Sequence, residues 1–294
     1  MKRLAVIGGG AWGTALALVA SRAGADVVLW ARDPAITTAI NERHENPVYL
    51  PGIALDPAIP ATADPEAALN HAEAALLVVP AQFMRGVLGV LEPLLPPGMP
   101  LLLCAKGIEI ESLRTMSELA HELVPSSPLA VLSGPSFAGE VARDLPTAVT
   151  IASGKPELAE VFMAALGTAR FRPYRSHDPI GVEIGGAVKN VLAIACGIVE
   201  GRGLGDNARA ALVTRGLSEM IRLGVAKGAQ RDGAEERQGD HKNREQHQRI
   251  ELGRLPVRRR GDIIRRLRDA HSAASAQPAR KARVIGAAPP TLKR

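Results

Sequence analysis

The segment GGGAWG at residues 8–13 constrains this chain more than any other feature. It has glycines at 8, 10 and 13, the spacing G-x-G-x-x-G, and it separates the aliphatic run Leu4 to Ile7 from Thr14 to Arg22, a stretch dense in good helix formers. A glycine-rich turn between a buried strand and a helix has a specific physical use. Its first glycine permits the tight turn, the second lets the backbone approach a pyrophosphate, and the third lets the helix pack closely on the strand. The helix start then offers free N–H groups and the positive end of its dipole to the anion. Such a trio alone is weak in a chain with 29 glycines, but the strand begins almost at Met1 and a second strand, Asp26 to Trp30, follows one helix length later. That context predicts a dinucleotide-binding turn with Gly8, Gly10 and Gly13 at the cofactor.

Further strand candidates are AALLVVP (74–80), PLLLCAKG (100–107), LAVLSGP (129–135) and TAVTIAS (147–153). They are continuous apolar runs, as expected of strands buried on both faces of a parallel sheet. Helical segments such as DPEAALNHA, MRGVLGVLEPLL and ESLRTMSELAHEL separate most of them. The alternation predicts an α/β fold with a Rossmann-type doubly wound parallel sheet over residues 1–180. After residue 180 the strand runs stop. Apolar residues at helical spacing then predict a helix near 182–200 and a second near 207–227, the start of an all-α second domain over 181–228. From 229 to 294 there is no Phe, Trp or Tyr and apolar periodicity is poor, so this part is expected to be disordered or non-native and the helical domain incomplete.

With 46% hydrophobic residues in 294, the chain has material for a sizeable core. MKRLAVIGGG enters a strand directly, and no uninterrupted apolar stretch reads as long enough for a bilayer, so neither a cleaved signal nor a membrane partner is expected. Cys104 and Cys196 both lie in apolar runs, which argues against a disulfide framework and for a cytoplasmic address. The net charge of +6 is uneven. Residues 229–294 hold 17 Lys+Arg against 8 Asp+Glu, a charge of +9, and residues 1–228 carry −3. An arginine-rich tail can bind phosphate backbones, but this one lacks aromatics for base stacking, so no nucleic-acid partner is expected.

Four charged positions bear on chemistry. The second strand ends in WARDP, where Arg32 can accommodate the 2′-phosphate of NADP, while Asp33 before Pro34 reads as a helix N-cap, or as the group that meets an NAD ribose. This favours NADP, with NAD open. Lys106 in LCAKGIE follows a sheet strand, where ligands bind in open α/β sheets. Lys189 lies on an otherwise apolar helix with Gly185 and Gly186 at i−4 and i−3, which leave its base open to close approach.

GGGAWGTALA, NPVYLPG, AKGIE, LSGPSFAGEVA, GGAVKNVLAIACGIVEG and GDNARAALVTRGLSEM, in this order, closely resemble the bacterial NAD(P)-dependent sn-glycerol-3-phosphate dehydrogenase family over residues 1–228. The resemblance implies a cytoplasmic, commonly dimeric oxidoreductase that interconverts dihydroxyacetone phosphate and sn-glycerol 3-phosphate at the start of glycerophospholipid synthesis. It implies that Ala11, Trp12, Arg32, Tyr49, Lys106 and Ala138 contact the cofactor, that Lys106, Gly134 and Ser136 line the substrate, and that Lys189 transfers the proton with Asn190 beside it. Ala11 stands where many relatives have serine, so only its backbone contact carries over. Without the resemblance, Tyr49 and Ser136 read as ordinary loop residues.

Two lysines suit this chemistry. Hydride delivery to a ketone leaves negative charge on oxygen, which an ammonium can stabilise and protonate, and a second ammonium nearby lowers the first one's pKa. Lys189 is then the acid and Lys106 its electrostatic partner. The family continues beyond this point with a GLGD segment and an arginine-containing SRNR-like stretch that holds substrate phosphate; neither follows Gly228 here, and the GLGD at 203–206 belongs to an earlier loop. The expectation is an out-of-frame or foreign segment after 228 and impaired turnover. A related hydroxy-acid dehydrogenase and a cofactor-binding module without turnover are the alternatives.

Overall fold

The structure, a computed structural model, describes residues 1–230. The tail expected to be disordered or non-native lies outside the described residues, apart from Ala229 and Gln230. The chain runs β1 (Arg3–Ile7), α1 (Ala11–Arg22), β2 (Asp26–Trp30), α2 (Pro34–Arg43), β3 (Glu45–Asn46), β4 (Leu50–Ala54), β5 (Ala61–Thr62), α3 (Pro65–His71) and β6 (Ala74–Leu77). It continues with α4 (Met84–Leu91), β7 (Leu101–Leu103), α5 (Met116–Leu123), β8 (Leu129–Ser133), α6 (Ala138–Ala142), β9 (Thr147–Ala152), α7 (Pro156–Leu166), β10 (Phe171–Ser176), α8 (Pro179–Gly201) and α9 (Gly205–Ala226).

One sheet has the order β10-β9-β8-β7-β6-β1-β2-β5, and β3 and β4 form a small antiparallel pair. β1 pairs in parallel with β2 on one side and β6 on the other. The chain first winds outward through β2 and β5, then returns to β6 and winds the other way, so the crevice at the C-terminal ends of β1 and β6 is the topological switch point where such sheets bind ligands.

Alternation of side chains explains the continuous apolar runs. Leu4, Val6 and Leu76 join a core with Leu16, Ala20 and Phe162 on one face. Ala5, Ile7, Ala75 and Leu77 join a core with Leu69, Leu88 and Leu119 on the other. Two faces, two cores and helices over both are the expected doubly wound arrangement.

Three features differ from the sequence expectation. β9 pairs antiparallel with β8, and β10 follows β9 in parallel, so β9 and β10 run opposite to the parallel strands from β8 to β5. β10, FRPYRS, was not expected because its composition is polar; it sits at the sheet edge, where only Phe171 is buried and Pro173 is tolerated. Finally, α8 is 23 residues long with a mean hydropathy of 1.7 over its most apolar window, long and apolar enough by length and composition to cross a membrane, contrary to expectation. Its first half has a different use, burying Val182, Glu183, Ile184 and Gly186.

Candidate active site

The expected strands at 74–80 and 100–107 leave the sheet early, at Leu77 and Leu103. The residues that follow, Val78 to Pro80 and Cys104 to Lys106, instead wall a cleft of about 660 Å³ above the glycine turn. Of the residues singled out from the sequence, Gly8, Gly10, Ala11, Trp12, Arg32, Tyr49, Lys106, Ser136 and Ala138 line it, and Gly13, Gly134, Lys189 and Asn190 do not.

The glycine turn has the space a dinucleotide requires. Gly8 takes φ +129°, outside the range of most side chains, and packs on the Val78 backbone. A Cβ at Gly13 would overlap the Gly8 carbonyl oxygen, so this glycine lets α1 start against β1. A Cβ at Gly10 would meet nothing within 4 Å, which leaves its backbone open to the cleft at the N-cap of α1. The Trp12 indole nitrogen is buried without a hydrogen-bond partner among the described residues. An open N-terminal turn, an apolar wall and an unpaired donor fit a dinucleotide.

At the far end of β2, Asp33 accepts from Ala35 N–H at 2.9 Å and caps α2, with Pro34 in its first turn. Arg32 is exposed at the cleft and has no hydrogen bond or ion pair among the described residues. Tyr49 is held by its backbone N–H, which donates to Asn46 Oδ1 at 3.1 Å.

Lys106 and Lys189 converge on one acceptor. Lys106 Nζ donates to Gly134 O at 3.1 Å and to Ser136 Oγ at 3.2 Å, and Lys189 Nζ donates to Gly134 O at 3.0 Å. Lys106 also lies 5.5 Å from the centre of the Trp12 ring. Burial, and after it the Lys189 ammonium, lower Lys106 from the ordinary lysine value of 10.5 to about 8. The lowered pKa belongs to Lys106, the residue cast from the sequence as the electrostatic partner. Asn190 is exposed on α8.

The sequence had not singled out the residues that hold these groups in place. Asn46, with no exposed surface, donates to Gly9 O at 2.9 Å and Thr14 Oγ1 at 2.8 Å and so joins the Tyr49 loop to the glycine turn. The loop after Lys106 is clasped by Gln82, which donates to Ile108 O and accepts from Ile110 N–H, and by Arg85, whose Nε and Nη2 each lie 2.8 Å from Glu109 carboxyl oxygens. Arg85, with Ser112, holds Glu109 down at about 2. Phe83 and Phe137, 62% and 74% exposed, stand at the cleft as well. A polar residue inside a matched motif was the available signal for Asn46; for the two phenylalanines it was their scarcity, with 4 in the chain.

The fold and the cleft define a Rossmann-type protein with a dinucleotide site at its switch point. Residues 3–159 match the model of the NAD-dependent glycerol-3-phosphate dehydrogenase N-terminus, and residues 178–238 match that of the corresponding C-terminus, ten residues beyond the motif resemblance, which ends at 228. The chain belongs to the NAD-dependent glycerol-3-phosphate dehydrogenase family. It is 62% identical over 226 residues to the glycerol-3-phosphate dehydrogenase [NAD(P)+] of Rhodospirillum rubrum, covering 77% of this chain and 65% of that one. It is 60% identical over 228 residues to the Paramagnetospirillum magneticum protein of the same name, covering 78% and 82%. The Coxiella burnetii glycerol-3-phosphate dehydrogenase crystal structure superposes with a TM-score of 0.74 at 40% identity, covering 79% of this chain and 71% of that one. The chain therefore spans slightly under two thirds of the Rhodospirillum relative.

Proposed function

We propose that this chain interconverts dihydroxyacetone phosphate and sn-glycerol 3-phosphate as a cytoplasmic oxidoreductase feeding glycerophospholipid synthesis, with residues 1–180 holding NADP or NAD and residues 181–228 beginning the substrate-binding, homodimer-forming half. The observation that carries this is the convergence of two ammonium groups on Gly134 O beside the switch-point cleft. Gly8, Gly10, Ala11 and Trp12 would hold the pyrophosphate, with Tyr49 and Ala138 on the cleft walls. The nicotinamide supplies or accepts the hydride when bound. Lys189 Nζ then moves the proton to or from the substrate oxygen, and Lys106, Gly134 and Ser136 orient that oxygen. Lys106 opposes the developing charge, which is strongest where water is excluded.

Arg32 supports NADPH over NADH, because it is free for a 2′-phosphate while Asp33 is engaged as a cap. The lysine midway along α8 and the packing of its first half favour a helix of a folded domain over a membrane span. Substrate phosphate, once desolvated, needs a fixed arginine, and the SRNR-like stretch does not follow Gly228. The chain is therefore expected to bind NADPH yet reduce dihydroxyacetone phosphate poorly. The test pairs NADPH fluorescence titration with NADPH oxidation on the purified chain. Absence of cofactor binding overturns the whole proposal; rapid saturable turnover overturns only the impairment.

A further inference from the structure

Three residues of α8 spaced three apart, Glu183, Gly186 and Lys189, each reach toward α5 or the end of β8. Each makes a different contact. Glu183 is 6% exposed, accepts from Ser117 N–H at 2.8 Å and is also bonded by the Ser117 hydroxyl. Ser117 is the second residue of α5, so the carboxylate meets free N–H groups at a helix start, a start also closed by the reciprocal Thr115–Glu118 capping box. One turn on, a Cβ at Gly186 would run into Ser133 Oγ and reach Lys106 Cγ, so helix and sheet pack closely there. Another turn on, Lys189 reaches Gly134 O.

A buried carboxylate is costly unless it is fully hydrogen-bonded. Burial pushes Glu183 up, against the lowering effect of the Ser117 bonds, and Glu118 pushes it further. Glu118 is itself bonded at 2.9 and 3.2 Å by Lys227, at the end of α9. Both helices of the second half are thus tied to the start of α5, but only Glu183 is buried, and only α8 carries a lysine of the proposed site. A leucine would fill the same space without the desolvation cost. What the carboxylate adds is a fixed register between α8 and α5.

We propose that Glu183 is a positioning residue: by fixing α8 to the start of α5, it sets how far Lys189 reaches toward Gly134 O and hence how close it stands to Lys106. This rests on the lysine-pair reading of the site. The effect on Lys106 runs through the helix, since burial, Lys189 and Cys104 are the influences that shift it.

The test uses the full chain with 13C-labelled lysine, following the Lys106 side-chain resonance with pH and assigning it by loss in Lys106→Met. In the native protein it should titrate near 8. In Glu183→Ala it rises toward the ordinary lysine range, because Lys189 swings away and its repulsion is lost. The sign is diagnostic: deleting a nearby carboxylate by itself lowers a lysine pKa. Glu183→Gln keeps the shape and an acceptor for Ser117 N–H, and restores the native titration. NADPH affinity, set by the glycine turn, stays within about twofold in both variants, an interval below about 0.5 kcal/mol. A Lys106 titration unmoved or lowered in Glu183→Ala overturns the proposal. Should that variant not fold, Ser117→Ala, which removes the hydroxyl donor alone, gives a smaller rise, and no rise overturns the proposal equally. A native chain with no lysine titrating below the ordinary range instead overturns the lysine-pair reading, and the positioning role with it.

Discussion

Leu4 to Ile7, Ala74 to Leu77 and Leu101 to Leu103 have no exposed surface, whereas on the two-helix half Val191, Ile194, Ile198, Leu217 and Ile221 remain 46–66% exposed. The residue types are the same; the number of partners is not. Each central strand has a neighbour on both edges and a layer of helices on both faces, so one change there disturbs contacts in every direction. α8 and α9 have each other and one line of contact to the sheet and to α5, and their outer faces meet nothing among the described residues. The cofactor half should therefore be unforgiving and the helical half tolerant, except along the Glu183–Gly186–Lys189 stripe.

The sharpest contrast is one substitution made in both halves. Gly13→Ala places a Cβ on the Gly8 carbonyl oxygen and is expected to cost at least about 3 kcal/mol and abolish NADPH binding. Gly197→Ala, in the second half of α8, meets nothing within 4 Å and is expected to stabilise the helix by about 1 kcal/mol. Urea unfolding of the two variants measures both. Equal effects would erase the distinction between the halves.

Next in size is catalysis. Lys189→Ala is expected to lower whatever reduction rate the chain has by about 100-fold or more, the usual worth of a positioned acid, with NADPH affinity unchanged. Near-native turnover in steady-state assays would move the acid to Lys106. On the cofactor side, Arg32→Ala should weaken NADPH by about 10- to 100-fold, the range of one charge-assisted contact, and leave NADH unaffected. Parallel losses for the two cofactors in fluorescence titrations would show that Arg32 does not read the 2′-phosphate.

Stability should carry the signature of Lys106. Its folded value of about 8 lies below the 10.5 of an ordinary lysine, so between those values the unfolded chain holds a proton that the folded one has released. The residue therefore disfavours folding below pH 8, and its penalty is relieved as pH rises through this window. Lys106→Met should be the more stable protein at pH 7 by urea unfolding, with the gap narrowing toward pH 10. A gap that widens with pH would contradict the lowered value.

How much of this could be read from the sequence followed the range of the interactions. The glycine turn was legible because each glycine answers a local demand, a positive φ at Gly8 or close packing at Gly13. The Asp33–Pro34 cap was legible for the same reason. The direction of β9 was not, since its apolar run would suit either pairing and only the tertiary fold selects one. Lys106 and Lys189 come from distant elements, and nothing local to either predicts their common acceptor; the family resemblance alone joined them. Glu183 is not legible from the sequence, because a glutamate on a helix ordinarily lies in water and its burial depends on Ser117, 66 positions away.

The smallest expected effect tests the tolerant half directly. Val191, Ile194 and Ile198 recur at helical spacing on α8, and Val213, Leu217 and Ile221 do so on α9, so the pair presents apolar rows to solvent. Rows of this kind favour association, by about 25 cal/mol for each Å² removed from water. In the isolated protomer a charge on them costs almost nothing, because the side chain it replaces was already exposed. Ile194→Glu with Ile198→Glu is thus expected to change unfolding free energy by no more than about 0.5 kcal/mol. The same pair of changes should shift sedimentation toward the monomer and leave NADPH affinity unaltered. A loss of several kcal/mol would mean that these side chains carry packing within the protomer and that the two halves are more alike than their described surfaces suggest.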